Sequence, residues 1–394
     1  MPAAGLASTS NLTNVTVVSF SSNSVYDDNL SNSASHHEGG GQQYLAATFG
    51  FQQTRRRWQW NLSYRPGVVV GAQSVLSNQF NQVFGTSLEV KPSARWSLKF
   101  RQDYILTTDP FDHLGEAALQ PGLSPLERPN DLPFFPELKR KASFSEMGVT
   151  YRLSRHTSAG VSGSYALQNY NYYSSTEEAW PLINSRVATG NGFISQQISR
   201  RYTTGVAYRL RDLTFPGYDM RTLTHSVLSF HQFAVTATTS LVIYAGPEYA
   251  RTRGQSPALS VSWSPAAGAI YTWSGMHTSV QSGYSRQISD GGGVQGPVRL
   301  SGAWLRLSRQ LRPRWTVDVS TGLAQQTALI TTPEDRLRML RAGGGFRRDL
   351  GRNASLRLLY ERLYQTGGSP LYRPGNHNRV MLSIEQSFMR PLGR

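Results

Sequence analysis

The residues best equipped for chemistry are thinly scattered. Ser35–Gly41 reads SHHEGGG and brings His36, His37 and Glu38 together. Neighbouring residues of an extended segment point to opposite faces, so the two imidazoles diverge and fit one tetrahedral metal ion poorly. DGGGVQG (Asp290–Gly296) and RAGGGFRRDLG (Arg341–Gly351) carry the glycines of a phosphate-cradling loop. No helix pattern follows either one to supply the amides. The first reads as a loop, the second as a strand with a close backbone approach or a bend. There is no G-x-S-x-G, no His-rich metal signature and no cysteine, which excludes disulfides and thiolate metal sites. The expectation is a protein that is not an enzyme and needs no cofactor or metal. Catalysis would require a site assembled from distant residues.

The remaining ionisable residues fall on one side of alternating stretches. Arg55–Gly67 reads RRRWQWNLSYRPG, with Trp58, Trp60, Leu62 and Tyr64 on one face and Gln59, Asn61, Ser63 and Arg65 on the other. The same period of two runs through Leu45, Ala47, Phe49 and Phe51, through Trp96, Leu98 and Phe100, and through Trp315, Val317 and Val319. Such runs last about 10–14 residues, roughly twice the ordinary strand. Short basic or Pro-containing turns fall near residues 55, 93, 155, 200, 237, 275, 312 and 350. Between them lie longer Gly/Asn/Pro-rich segments, near 23–41, 66–78, 107–139, 171–184, 212–221, 252–257, 290–297, 327–334 and 366–376.

This punctuation predicts 18 strands, with 16 as the alternative count. A propeller blade needs four short strands per repeat, and each period here holds two long ones. Sandwich strands, too, are shorter than these. The fold class expected is all-β: a closed antiparallel transmembrane β-barrel with short periplasmic turns and long extracellular loops. Residues 1–11 read as a periplasmic tail, 12–388 as a single barrel and 389–394 as a C-terminal tail. The opening MPAAGLAS lacks the basic and apolar regions of a signal peptide, and reads equally as the end of one.

On this reading the neutral polar face meets a wet lumen, which explains why only 16% of residues are charged. Arg65, Lys99, Arg101, Arg209, Arg211, Arg357 and Arg379 are expected to line the pore, against Asp103, Asp318 and Glu361. The basic excess among them implies a mild anion preference if a channel exists; otherwise these groups only pair across the lumen. The net charge of +16 first points to nucleic acid, but the arginines cluster at short turns and the acids in long loops. A ring of arginines at one end of a barrel fits lipid headgroups, so the expected partner is lipid and not nucleic acid. Segment 107–139 holds six prolines with Phe111, Phe134 and Phe135. A loop of this length is uncommon without a function. Either it constricts the lumen or it packs outside on neighbouring loops.

Four short stretches carry a resemblance: VYDDN (Val25–Asn29), WSPAAGA (Trp263–Ala269), YSRQISDGGG (Tyr284–Gly293) and the ending SFMRPLGR (Ser387–Arg394). They resemble outer-membrane β-barrel proteins of Gram-negative, acidobacterial-type bacteria, and are similar to barrel porins associated with exopolysaccharide and exosortase loci. The resemblance implies an outer-membrane location and a porin-like channel for diffusion or export of polar solutes, exopolysaccharide among them. It also implies the barrel-assembly machinery as a partner, reading Phe388 as the strand-end aromatic. The alternative is a non-conducting structural or adhesive barrel plugged by loop 107–139.

Overall fold

The structure, a computed structural model, describes residues 14–29, 39–71, 79–107, 138–172, 183–254, 260–293, 296–329, 336–367 and 375–391. Among these residues there are eighteen strands: β1 (Asn14–Asp27), β2 (Gly40–Arg55), β3 (Trp58–Gly71), β4 (Gln79–Val90), β5 (Trp96–Thr107), β6 (Leu138–Arg152), β7 (Thr157–Tyr172), β8 (Ser185–Ser199), β9 (Tyr202–Phe215), β10 (Met220–Ala234), β11 (Thr239–Arg253), β12 (Ser260–Ser274), β13 (Thr278–Ser289), β14 (Val298–Arg312), β15 (Trp315–Ala328), β16 (Arg336–Asp349), β17 (Ala354–Gly367) and β18 (Gly375–Pro391). Each pairs antiparallel with its sequence neighbours, and β18 pairs with β1 from Val15↔Pro391 to Asp27↔Arg379, closing the sheet. The expected count and architecture both hold.

Alternation fixes which side chains meet which solvent. In β1, Val15, Val17, Ser19 and Asp27 turn inward and are buried, while Phe20 and Tyr26 stand exposed outside. The same outward parity exposes Phe49, Phe100, Val161, Ile194, Val227, Leu305, Leu323 and Ile384 around the circumference. So continuous an apolar belt is stable only against lipid. Trp58, Trp96, Tyr202, Trp273 and Trp315 share the outward register next to the short turns. Tyr202 stacks on Phe233 at 4.8 Å, and the Arg348 guanidinium lies 5.1 Å from the Trp315 ring. These are interfacial anchors.

Three details depart from the sequence pattern. Tyr44, an aromatic on the polar-side parity next to Leu45, takes the inward register and packs on Val25, Leu359 and Met381 inside the barrel. The long connection expected over 212–221 shrinks to four residues, because the strands run on to Phe215 and restart at Met220. Gly217 at φ 94° and Asp219 at φ 45° make that turn, and Leu213 and Phe215 are buried against Ile183 beside it. β18 continues past Phe388 to Pro391, so Phe388 faces outward three residues before the strand end.

The VYDDN stretch has a clear structural task. Its acids clamp the first strand to the last. The Asp28 carboxylate accepts from Asn378 backbone N at 2.7 Å and from Asn378 Nδ2 at 2.6 Å, while Asp28 N donates to Asn378 O at 3.1 Å. Asp27 Oδ1 accepts from Asn29 N at 2.9 Å and lies 3.2 Å from His377 Nδ1. Asp27, Asn29 and His377 are all buried. Hydrogen bonds to a charged group contribute about 1.5–3 kcal/mol each. Asp28→Ala is therefore expected to lower barrel stability by roughly 2–4 kcal/mol in urea titrations and to lower the temperature of the heat-induced gel mobility shift. An unchanged transition would remove the clamp from the account.

Candidate functional site

The barrel wall is not continuous to its extracellular rim. On β13, Tyr284 faces outward, so Arg286 and Ile288 take the same lipid-facing parity. Across the ladder Arg299 joins them, paired with Ile288. A guanidinium on the lipid face costs about 2–4 kcal/mol at mid-membrane and less near the interface. The strands do not accept that cost. Pairing of β12 with β13 stops at Ala267↔Arg286. Beyond it, β12 continues to Ser260 bound to β11 alone, and β13 continues to Ser289 bound to β14 alone.

The tip of the β13–β14 hairpin lies inside the barrel. Gln287, Ile288 and Ser289 are consecutive yet all buried, Ile288 at 0% exposure, so both faces of the strand are covered. Gly291, Gly292 and Gly296, at φ 70°, 61° and 79°, turn the chain at the tip. The left-handed φ of Gly296 is what calls for glycine there, and a Cβ would in addition press on the Met220 methyl at the β9–β10 turn. Leu300 packs with Ala324, Leu337 and Met339 on the inner wall.

Polar groups from several strands hold the tip. Ile288 N donates to Glu248 Oε2 of β11 at 2.9 Å. Arg211 Nη1 donates to Ile288 O at 2.7 Å, and its Nη2 to Gln287 Oε1 at 3.0 Å. Arg209 Nη1 reaches the same Gln287 oxygen at 3.3 Å, and its Nη2 lies 3.6 Å from Glu248 Oε1. Ser226 Oγ donates to Glu248 at 3.1 Å. From β8, Ser185 Oγ donates to Asp290 Oδ2 at 2.5 Å. The Arg209 and Glu248 side chains are both 0% exposed. A buried ion pair needs further hydrogen bonds to hold its charges; Ser226 and the Ile288 amide supply them to Glu248, and Gln287 takes one from Arg209 Nη1.

Arg65, Lys99, Arg101, Asp103, Arg209, Arg211, Asp318, Arg357, Glu361 and Arg379 all occupy inward-facing register positions. They gather in separate groups. Arg209 and Arg211 belong to the hairpin anchor. Arg101 Nε bonds Asp103 Oδ2 at 2.5 Å and pairs in register with Glu146. Glu361 bonds Arg341 Nη2 at 2.6 Å and sits opposite Arg379. Lys99 pairs in register with Glu89, while Arg65, Asp318 and Arg357 sit apart from these groups.

Phe111, Phe134 and Phe135 lie in 108–137, outside the described residues, as do His36, His37 and Glu38. In RAGGGFRRDLG, a Cβ on Gly345 would stand 2.7 Å from the Leu358 carbonyl oxygen, which is a close backbone approach. Glu248, Gln287 and Asp290 had no signal of their own in the sequence. What could have disclosed the hairpin is the lipid-side parity of Arg286 and Arg299 beside a run of three glycines.

No family model and no curated protein matches the chain. Solved structures do. OccK2 (OpdF) of Pseudomonas aeruginosa superposes with a TM-score of 0.50 at 10% identity, over 95% of this chain and 98% of that one. OpdQ of the same organism gives 0.49 at 11% identity over 95% and 99%, and its outer membrane protein OpdK gives 0.48 at 10% over 96% and 99%. The shared feature is the fold: this chain is an outer-membrane β-barrel.

Gly296→Val should dislodge the hairpin tip from Met220. The expected readout is a single-channel conductance raised about twofold or more, since pore radius governs conduction. An unchanged conductance would mean that the tip does not limit the passage.

Proposed function

We propose that the protein is a porin-like channel for diffusion of small polar solutes across the outer membrane, with a preference for anions. The observation that carries this reading is the hairpin folded into the lumen and tied to Arg209 and Arg211. A structural barrel needs no such narrowing, whereas a selective channel does. The ten inward-register charges are read as pore lining. Fixed positive charge in a low-dielectric passage raises the local concentration of anions. The periplasmic mouth adds to it: Arg56, Arg57, Lys91, Arg95 and Arg152 surround a cavity of about 400 Å³.

Loop 107–139, with Phe111, Phe134 and Phe135, is proposed as a second constriction element. Lipids and small polar solutes are the partners this reading needs, with the assembly machinery acting during insertion. No observation supports polysaccharide export, and burial of the hairpin tip argues for solutes far smaller than a glycan chain. That same close packing is what favours the second reading, a non-conducting structural or adhesive barrel.

Conductance of the refolded protein in a planar bilayer under a salt gradient separates the two. Discrete steps with a reversal potential on the anion side are expected, and silence from a folded barrel would select the structural reading. Arg211→Gln should lower the anion-to-cation permeability ratio by about two- to threefold. Deleting residues 110–136 should raise conductance if that loop narrows the pore.

A further inference from the structure

The outer surface of β8 to β11 carries a feature that conduction does not use. Outward rings form a ladder across β9 to β12. Tyr208 Oη lies 2.7 Å from His225 Nδ1, the His225 and Tyr249 centroids are 6.1 Å apart, and Tyr249 and Trp263 are 5.0 Å apart. Tyr249 lies ten residues beyond Thr239, where β11 leaves its short turn, and Trp263 eleven before Ser274, where β12 reaches one. That is the length of strand that crosses the hydrocarbon, so the ladder marks the outer interface.

Beyond the ladder the same face turns cationic. His225, Leu223 and Arg221 share the outward parity of β10, as Tyr249, Arg251 and Arg253 share that of β11. The registers Arg186↔Thr214, Arg221↔Thr214 and Arg221↔Arg253 place Arg186, Arg221 and Arg253 on one row across four strands. Arg251 stands one alternation nearer the rings. Adjacent strands are about 4.8 Å apart, so the three arginines of the row lie within about 15 Å. All four are exposed. Asp212, level with Arg251, is taken by Arg221, whose Nε and Nη2 donate to its two oxygens at 2.8 and 2.5 Å. Arg186, Arg251 and Arg253 make no ion pair among the described residues, and Asp219 in the adjoining turn pairs with none of them. Arg221 and Arg253 stand directly opposite each other, and like charges so placed repel. Three guanidinium groups without an acid of their own, at a membrane surface, leave their charge to be met by an anion.

We propose that Arg186, Arg251 and Arg253, with Arg221 held among them by Asp212, bind the phosphate-bearing headgroup of an outer-leaflet lipid. Guanidinium donors match phosphate oxygens in a fork geometry. Tyr249 and Trp263, the latter 68% exposed, stand on the membrane side of the cations, where the backbone and upper acyl chain of such a lipid run. The outward parity of the arginines is that of the lipid face. Their inward neighbours Thr222 and Thr252 are buried and bonded to each other at 3.0 Å on the other side of the wall. The site therefore stands apart from the lumen and from whether it conducts.

The test is native mass spectrometry of the refolded full chain in detergent, titrated with phosphatidic acid or phosphatidylcholine. One phosphatidic acid should be retained at about tenfold lower concentration than phosphatidylcholine. Arg186→Gln with Arg251→Gln and Arg253→Gln should abolish that preference while the heat-modifiable gel band persists. Arg56→Gln with Arg57→Gln, at the opposite mouth, should leave it in place. Equal retention of the two lipids, a preference that survives the triple variant, or one lost in the double variant would overturn the site. Inorganic phosphate at millimolar concentration that displaces the lipid completely would make it a site for free phosphate and overturn the lipid assignment. Should the triple variant not fold, fluorescence with brominated acyl chains decides. Brominated phosphatidic acid should quench the wild type more than brominated phosphatidylcholine does, and Trp263→Phe should remove the difference. No difference in the wild type, or the same difference in Trp263→Phe, would sink the proposal.

Discussion

A backbone amide in hydrocarbon has no water to bond, and each group left unsatisfied costs several kcal/mol. Most of this structure follows from that constraint. It demands strands long enough to cross, neighbours on both sides of each, and a last strand that meets the first. β1 and β18 satisfy it along thirteen residue pairs. Once closed, the sheet has only an inside and an outside, and a period of two sorts the residues between them. Phe20, Phe49 and Leu323 go to lipid, Arg101, Asp103 and Glu361 to the lumen.

The β12–β13 break shows a second constraint outweighing the first. Continuing the ladder would satisfy seven more residues of β12, but it would turn Arg286 and Arg299 toward the membrane. Folding the hairpin inward removes both guanidinium groups from the lipid face. It also recruits Glu248, Arg209 and Arg211 to replace the lost backbone bonds with side-chain ones. The narrowing of the lumen is thus a by-product of charge placement on the outer surface. Lumen width and membrane compatibility are set by the same short stretch of chain.

Much of this was legible in the sequence, because the signals were local. Trp58, Trp60, Leu62 and Tyr64 announce a lipid face by alternation alone, and basic punctuation marks the turns, so strand number and orientation could be counted. The inward parity of Arg65, Arg209 and Arg379 follows from the same rule. Tyr44 shows the limit of residue type, since alternation beside Leu45 sends this ring inward although its chemistry would suit the lipid interface. The hairpin was not legible for a related reason. Residues 286–289 and 298–300 read as ordinary wall on either side of a loop, and their failure to match β12, a long-range comparison, is what reveals the fold-back. Glu248 could not be singled out because its task lies in burial beside Arg209, 39 residues away.

The clamp between VYDDN and β18 joins residues about 350 positions apart. Loop-closure entropy weighs against such a contact, and proteins dominated by distant pairings fold slowly. The Asp28–Asn378 bonds and the Asp27–His377 contact therefore require β18 to be in place. The two carboxylates sit at the long-loop end of the first strand. The buried Asp27–His377 contact is in effect a timestamp. It exists only in molecules whose final strand has been made, threaded and registered, and a chain truncated before β18 has no means of forming it.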